Sequence, residues 1–189
     1  FRVAKNDSIG RRYTDVCIKG GENFDTIASF RVYQDGVFQI VYTTVNESVI
    51  DVEESKFDAK ILSNTYENGK GFIIFDGGLT RIGKKAFEWC RSLSSIHIPN
   101  SVTHIDDEAF IYCNSLTSIS LSENLTSIGD YAFWECSSIT SIDIPDGVTA
   151  IGYAAFSGCS SLTSISLSKN LSSIGSSAFS GCSSLTSID

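Results

Sequence analysis

The chain has no methionine, two histidines, two tryptophans and two prolines in 189 residues. It also lacks a long apolar run. A membrane helix needs about 20 consecutive apolar residues, and no stretch comes near that length. Positive charge is scarce as well: 14 Lys and Arg face 22 Asp and Glu, a net charge of −8, with 12 acidic against 9 basic residues through Gly78 and 10 against 5 beyond it. A nucleic-acid partner needs a basic surface and is therefore disfavoured. Catalytic signatures are missing too. There is no Walker A sequence, no GxSxG elbow, no HExxH and no GxGxxG behind a strand, and Gly69-Lys70-Gly71 is too short to cradle phosphate and reads as a turn. The six cysteines contain no CxxC pair of the kind zinc sites use, so neither a metal nor a cofactor is expected. With no initiator methionine and no signal region at Phe1, the chain reads as a processed product or a piece of a longer protein.

What is present is repetition. From Leu79 onward one pattern recurs every 23 residues, in units starting at 79, 102, 125, 148 and 171, the last truncated. Phe87, Phe110, Phe133, Phe156 and Phe179 mark the register, and Cys90, Cys113, Cys136, Cys159 and Cys182 follow them. Ile82, Ile105, Ile128, Ile151 and Ile174 hold another apolar position, and Ala86, Ala109, Ala132, Ala155 and Ala178 a small one. A period in this range predicts a solenoid, because one unit cannot close a core alone and must stack on its neighbours. In the unit Val148 to Asn170, Ile165 and Leu167 face inward on a strand whose Ser164 and Ser166 face outward, since strand side chains alternate. A second short strand ends at Ile151. Gly152 follows it, with Gly83, Gly129 and Gly175 in other units and Asp106 in one, a set that predicts a turn with positive φ. Ala155-Phe156 then reads as a short helical turn. The expected fold is β-rich, with two short strands and a short helical turn per rung.

The motif LTSIxLPxxVTSIGxxAFxxCxS, carried by SVTHIDDEAFIYCNSLTSISL, NLTSIGDYAFWECSSITSIDIP and GVTAIGYAAFSGCSSLTSISL, resembles the repeats of BspA-like leucine-rich repeat surface proteins. The likeness covers Leu79 to Asp189 and extends upstream through FDAKILSNTYENGKGFIIFDG (Phe57 to Gly77), similar to the lead-in of such proteins from Bacteroidetes and related mucosal microbes. It implies a leucine-rich repeat solenoid, extracellular or at the cell surface, that serves adhesion or protein binding without catalysis. Extracellular or host proteins are the partners it implies, with glycans as a further option. A structural spacer that presents other domains is the alternative. The family has no fixed binding residues to carry over. At the position where many leucine-rich repeats place Asn, the cysteine column reads as buried reduced thiols, and five cannot all pair among themselves. No polar capping repeat precedes Asp189, so the solenoid is expected to continue.

Residues 1–78 read as an N-terminal all-β capping module with a lead-in rung, and residues 79–189 as the solenoid. Ala28 to Gln34 and Val37 to Thr43 flank Asp35-Gly36, a hairpin signal. Phe1 to Val3 and Tyr13 to Ile18 read as further strands, and Val49 to Asp58 as an acidic connector. Phe72 to Phe75 aligns with Ser95 to Ile98 as a rung, with Phe72 and Ile74 outward for the module to cover. The candidate binding surface is the outward, concave face of the strands: Ser95, His97, Ser118, Ser120, Ser141, Asp143, Ser164, Ser166, Ser187 and Asp189. Small hydroxyls give a flat, wet surface with few anchors, and repetition compensates through avidity. A solvated strand face is the competing reading. Trp89, Tyr112 and Trp134 stand just before the cysteines of the first three units, where later units have Gly158 and Gly181, and form a possible aromatic patch for sugars. His104 with Asp106, Asp107 and Glu108 looks like a cation cluster but has no known ligand spacing.

Overall fold

The computed structural model describes residues 2–5, 13–20, 25–33 and 38–188, with side chains from Phe38 onward. Two compact units divide the chain, Phe1–Val37 and Phe38–Asp189. The first holds an antiparallel sheet of β1 (Arg2–Lys5), β2 (Tyr13–Gly20) and β3 (Asp25–Tyr33), in that order, with a register shift at Ile18/Lys19.

The second unit opens with β4 (Gln39–Thr44), β5 (Ile61–Glu67) and β6 (Lys70–Phe75). The hairpin expected about Asp35-Gly36 has its turn outside the described residues; within its own unit β3 pairs with β2, and within the second unit β4 pairs with β6 and with the later strand Leu93–His97. A hairpin is formed by β5 with β6, closed by Asn68 and Gly69 at φ 51° and 77°, the two left-handed residues that match strand twist. Across the next ladder Tyr42 opposes Gly71, where any Cβ would collide with the ring. The buried Tyr42 hydroxyl donates to Asn64 Oδ1 at 2.8 Å, and Asn64 Nδ2 donates to the Ile50 carbonyl at 2.8 Å. Burial raises the Tyr42 pKa, which keeps that hydroxyl a donor.

Five rungs follow, each with two strands: β7 (Arg81–Ile82) and β8 (Leu93–His97), then β9 (His104–Ile105) and β10 (Ser118–Ser120), β11 (Ser127–Ile128) and β12 (Ser141–Asp143), β13 (Ala150–Ile151) and β14 (Ser164–Ser166), β15 (Ser173–Ile174) and β16 (Ser187–Ile188). The first strand of every rung joins one parallel sheet, β7-β9-β11-β13-β15. Between the strands the expected helical turn is absent. Lys85, Phe87 and Trp89 donate their amides to Asp107, Ala109 and Ile111 of the next rung at 3.2, 2.8 and 2.9 Å, while Ala86, Glu88 and Cys90 bond back within the turn. Alternate amides must therefore point along the rod, which an α-turn forbids. Two left-handed residues per rung arrange this: Lys85 and Trp89, Glu108 and Tyr112, Tyr131 and Glu135, Ala154 and Gly158, Ser177 and Gly181.

The positive φ predicted for the Gly152 column lies elsewhere, at those two positions. Gly129, Gly152 and Gly175 have no room for a Cβ against the backbone of the preceding rung, and Gly83 none against Lys56. Close approach, rather than backbone handedness, selects glycine there.

The side-chain core is a stack of rings. Phe87, Phe110, Phe133 and Phe156 are fully buried, and centroids along the column to Phe179 are 4.9, 5.1, 5.2 and 5.6 Å apart with planes within 7°. Phe57 continues it at 5.8 Å from Phe87, edge-on. The segment read as a connector is thus an additional half-rung: Lys56 accepts the Gly83 amide at 2.8 Å, Phe57 bridges to Ile82, and the Asp58 carboxylate accepts the amides of Thr80 and Arg81 at 3.0 and 3.2 Å. Phe72 to Phe75 is likewise no rung stacked on β8. It belongs to β6, and β4 runs antiparallel between the two. Its alternation is as expected, with Phe72 and Ile74 half-buried and Ile73 and Phe75 buried.

Candidate functional site

Outward side chains of the second strands lie in register along the rod. Ser95 pairs with Ser118 and His97 with Ser120 across β8 and β10, and Ser141 pairs with Ser164 and Asp143 with Ser166 across β12 and β14. His97, Ser118, Ser120, Ser141, Asp143 and Ser166 are exposed, and Ser164 half-buried. Their inward neighbours Ile96, Ile142 and Ile165 are buried, which fixes the orientation. Ser95 is less open than its position in the repeat suggests: β4 crosses beside it, and Thr43 Oγ1 lies 2.6 Å from its hydroxyl. Ser187 is exposed, and Asp189 lies outside the described residues. The face can donate and accept hydrogen bonds and carries little charge.

This face is not one sheet. Its strand order runs β10-β8-β4-β6-β5 and then separately β12-β14-β16, and among the described residues no ladder joins β10 to β12. The side-chain bonds across the junctions also differ. At the first junction Asn100 Oδ1 accepts the Glu123 amide at 3.1 Å and Asn124 Nδ2 donates to the Asn100 carbonyl at 2.9 Å. At the third, Asp146 Oδ1 accepts the Lys169 amide at 3.1 Å and Asn170 Nδ2 donates to the Asp146 carbonyl at 2.9 Å. At the second junction the corresponding residues are Glu123, whose acceptor stands on a longer arm, and Gly147, which has no side chain to donate. These side-chain bonds join rung one to two and three to four, although β14 also ladders with β16 without one, and between β10 and β12 lies a cleft of about 530 Å³ lined by Ser118 to Leu121, Glu123 and Ser141 to Asp146.

On the turn side the structure brings Trp89, Tyr112 and Trp134 together. Trp89 stacks on Tyr112 at 3.9 Å and 20°, and Tyr112 meets Trp134 at 5.0 Å. At strict 23-residue spacing Glu135, rather than Trp134, shares the column of Gly158 and Gly181. The row is longer than the sequence suggested, because Tyr131 and Tyr153 extend it at 5.8 and 5.2 Å. Tyr131 is itself a left-handed residue and Tyr153 directly precedes another, Ala154, so the pair drifts by one position from the repeat, and counting tyrosines 22 residues apart would have found it. Trp89 is 47% exposed, yet one of its faces meets Tyr112 and Arg91 sits 4.7 Å from the ring centroid. A sugar ring would have to displace one of these to stack there.

The five column cysteines are free thiols. Cys113, Cys136, Cys159 and Cys182 donate to the carbonyls of Phe87, Phe110, Phe133 and Phe156 at 3.1 to 3.3 Å. Each thiol ties its rung to the one before, as a side-chain amide would. Burial pushes the Cys90 thiol up to about 12 and raises Cys136, Cys159 and Cys182 as well, so these four are not primed for nucleophilic work. The acidic residues near His104 are committed to the fold. Asp106 pairs with Arg81 at 2.8 Å, Asp107 accepts the Asp130 amide at 2.9 Å, and Glu108 pairs with Lys84 and Lys85.

Comparison with known proteins agrees with this geometry. Residues 80–189 match the family model described as BspA type leucine-rich repeat region, in six copies. A T. pallidum leucine-rich repeat protein is 35% identical with a TM-score of 0.59, over 60% of this chain and 53% of that one. A leucine-rich cell surface protein of Faecalibacterium prausnitzii is 39% identical with a TM-score of 0.58, over 60% of this chain and 30% of its own. A Bacteroides ovatus leucine-rich repeat protein, 23% identical, shares the fold over 84% of this chain at a TM-score of 0.58. The chain thus spans about half the length of the first of these and less than a third of the second. No curated protein matches it. No helix among the described residues is long and apolar enough to cross a membrane. By its repeat, its rungs and its matched length, the chain belongs to the BspA-type leucine-rich repeat family.

Proposed function

We propose that this chain is a non-catalytic interaction module, secreted or displayed at a cell surface, that binds extracellular or host proteins through the concave face of its solenoid. Residues 79–189 supply the binding rungs in this reading, and residues 1–78 the lead-in and cap. The observation that carries it is the register of outward polar side chains: His97, Ser118, Ser120, Ser141, Asp143 and Ser166 are exposed and aligned rung on rung. Family membership and likeness to a cell surface protein support the location. Each contact is weak, so affinity rests on many small hydrogen bonds engaged together.

The test is binding of the purified chain to an array of extracellular proteins and glycans, beside a Ser120→Arg/Ser166→Arg variant of matched thermal stability. Saturable binding to proteins that the variant loses is the expected result. If neither chain binds, the solenoid is a spacer. If only glycans are captured, and removal of Trp89 and Trp134 abolishes this, recognition belongs to the aromatic row.

A further inference from the structure

Where β4 and β6 join the second strands, the outer face gains a basic residue and changes character. Thr43 pairs with Ser95 and Ser95 with Ser118, while Gly71 opposes Tyr42, which sets Lys70 beside Thr43. One row across β6, β4, β8 and β10 therefore reads Lys70, Thr43, Ser95 and Ser118. The next row reads Phe72, Val41, His97 and Ser120, because Val41 pairs with both Phe72 and His97 and His97 with Ser120. A pocket of about 320 Å³ lies over these rows, lined by Lys70, His97 and the hydroxyl residues Thr43, Ser95, Ser118 and Ser120, with Val41 as an apolar wall.

The pocket is uncommitted and of one sign. Lys70 and His97 are exposed, on strands two apart in the sheet and so about 10 Å from each other. Among the described residues neither makes an ion pair or a side-chain hydrogen bond. The lining holds no Asp or Glu, and Glu67, which faces Lys70 in the hairpin register, lies outside it. Farther along the face the sign reverses, with Glu123, Asp143 and Asp146 and no Lys or Arg around the next cleft. The hydroxyls also have a proton to give. Thr43 Oγ1 lies 2.7 Å from Ser94 Oγ and 2.6 Å from Ser95 Oγ. Three hydroxyls carry three protons and those two contacts use two, so the third can go to an outside acceptor. A negative acceptor would orient the chain of hydroxyls towards itself and polarise it. On a chain of net charge −8, most of the surface repels an acidic partner, which makes one basic pocket selective for where it docks.

We propose that this pocket binds a carboxylate side chain of an extended, acidic segment of the partner protein, with Lys70 as its cation and His97, Thr43 and Ser95 as its hydrogen-bond donors. Resting on the concave-face reading above, this names the partner's chemistry and its anchor point. An apolar neighbour of that carboxylate would lie on Val41 and Phe72, the half-buried outward residues of the second row.

The test uses the whole chain and a fluorescent peptide of alternating glutamate and valine, with alternating glutamine and valine as the control. Lys70 and His97 are exposed, so variants there should keep the thermal midpoint. Expected is saturable binding of the glutamate peptide, about fivefold or more tighter than the control and weakening between about 50 and about 500 mM salt. Lys70→Gln and His97→Ala should each lower affinity about threefold to fivefold, and Lys70→Glu about tenfold or more. Thr43→Val, which removes the hydroxyl at constant shape, should cost about threefold. Equal binding of the two peptides, or affinity unchanged in Lys70→Glu, overturns the proposal. So does tighter binding of a uronic-acid oligosaccharide than of the glutamate peptide, lost in Lys70→Glu, which would assign the pocket to an acidic glycan. Array proteins retained by Lys70→Glu but lost by Ser120→Arg/Ser166→Arg would sink the pocket and leave the concave face standing. Glutamate-peptide binding that Lys70→Glu abolishes, with no array protein captured, would support the pocket and count against the concave-face reading.

Discussion

The turn side of the solenoid and its second strands are made from the same 23-residue unit, but the turn side is continuous and the second strands are not. From Phe57 to Phe179 the rings form one column, and amides of every rung reach carbonyls of the next. On the second strands the ladder is interrupted once among the described residues, between β10 and β12, while β14 pairs with β16 even though Lys169 stands where Asn100 and Asp146 supply a side-chain acceptor. A period of 23 residues fixes the core, and the residues between the columns are free to differ from rung to rung. Stability and surface opening are thereby separated in one short repeat.

The contrast can be broken at several points. Phe133→Ala empties the middle of the ring column and should cost about 3–5 kcal/mol as a core cavity. Phe179, half-buried in the last rung, should cost clearly less; equal urea midpoints for the two variants would refute a column acting as one core. Asp58→Ala removes the carboxylate that holds the amides of Thr80 and Arg81. A loss of about 1–3 kcal/mol is expected, seen as early amide exchange in the first rung with the later rungs unaffected.

The thiol column gives a pH dependence of known sign. Cys90 is raised from an ordinary value of 9.0 to about 12, and burial raises Cys136 and Cys159 in the same direction. Above about pH 9 the unfolded chain loses thiol protons that the folded chain keeps, so stability is full below that pH and falls as it climbs towards 12. A urea midpoint that is flat across this range would contradict the buried thiols. Glu135→Gly should act oppositely and weakly. Its left-handed residue takes the glycine found at Gly158 and Gly181, so a gain of up to about 1 kcal/mol is expected by thermal melting. Smallest is Lys169→Ala: an exposed pair 3.7 Å from Asp146 should change stability by no more than about 0.5 kcal/mol.

The repeat made much of this legible. Columns of Phe, Ile, Ala and Cys specified which side chains face inward, and alternation specified the outward serines, because both follow from spacing alone. Features occurring once were not legible. Lys56 to Asp58 imitates a rung without its motif, and β4 enters between β6 and β8 through pairing that no local pattern encodes. Asn68-Gly69, which closes the β5/β6 hairpin, carried a legible turn signal of the same kind as Asp35-Gly36. The helical turn failed for another reason: small and aromatic residues side by side suit a helix, but an amide that must cross to the next rung cannot bond within its own.

The bonds that cross between successive repeat rungs join residues about one unit apart, 23 positions for the hydroxyl contacts and 26 for the thiols. Loop closure is thus the same modest entropy at each step, unlike in most all-β folds, where distant strands must find one another. Folding is expected to start at any pair of laddered rungs and spread outward in both directions. The β10/β12 junction, which has no ladder among the described residues, is where that spread should hesitate, so refolding followed by pulsed amide exchange should protect rungs one and two, or three and four, before it protects Leu121 and Thr140.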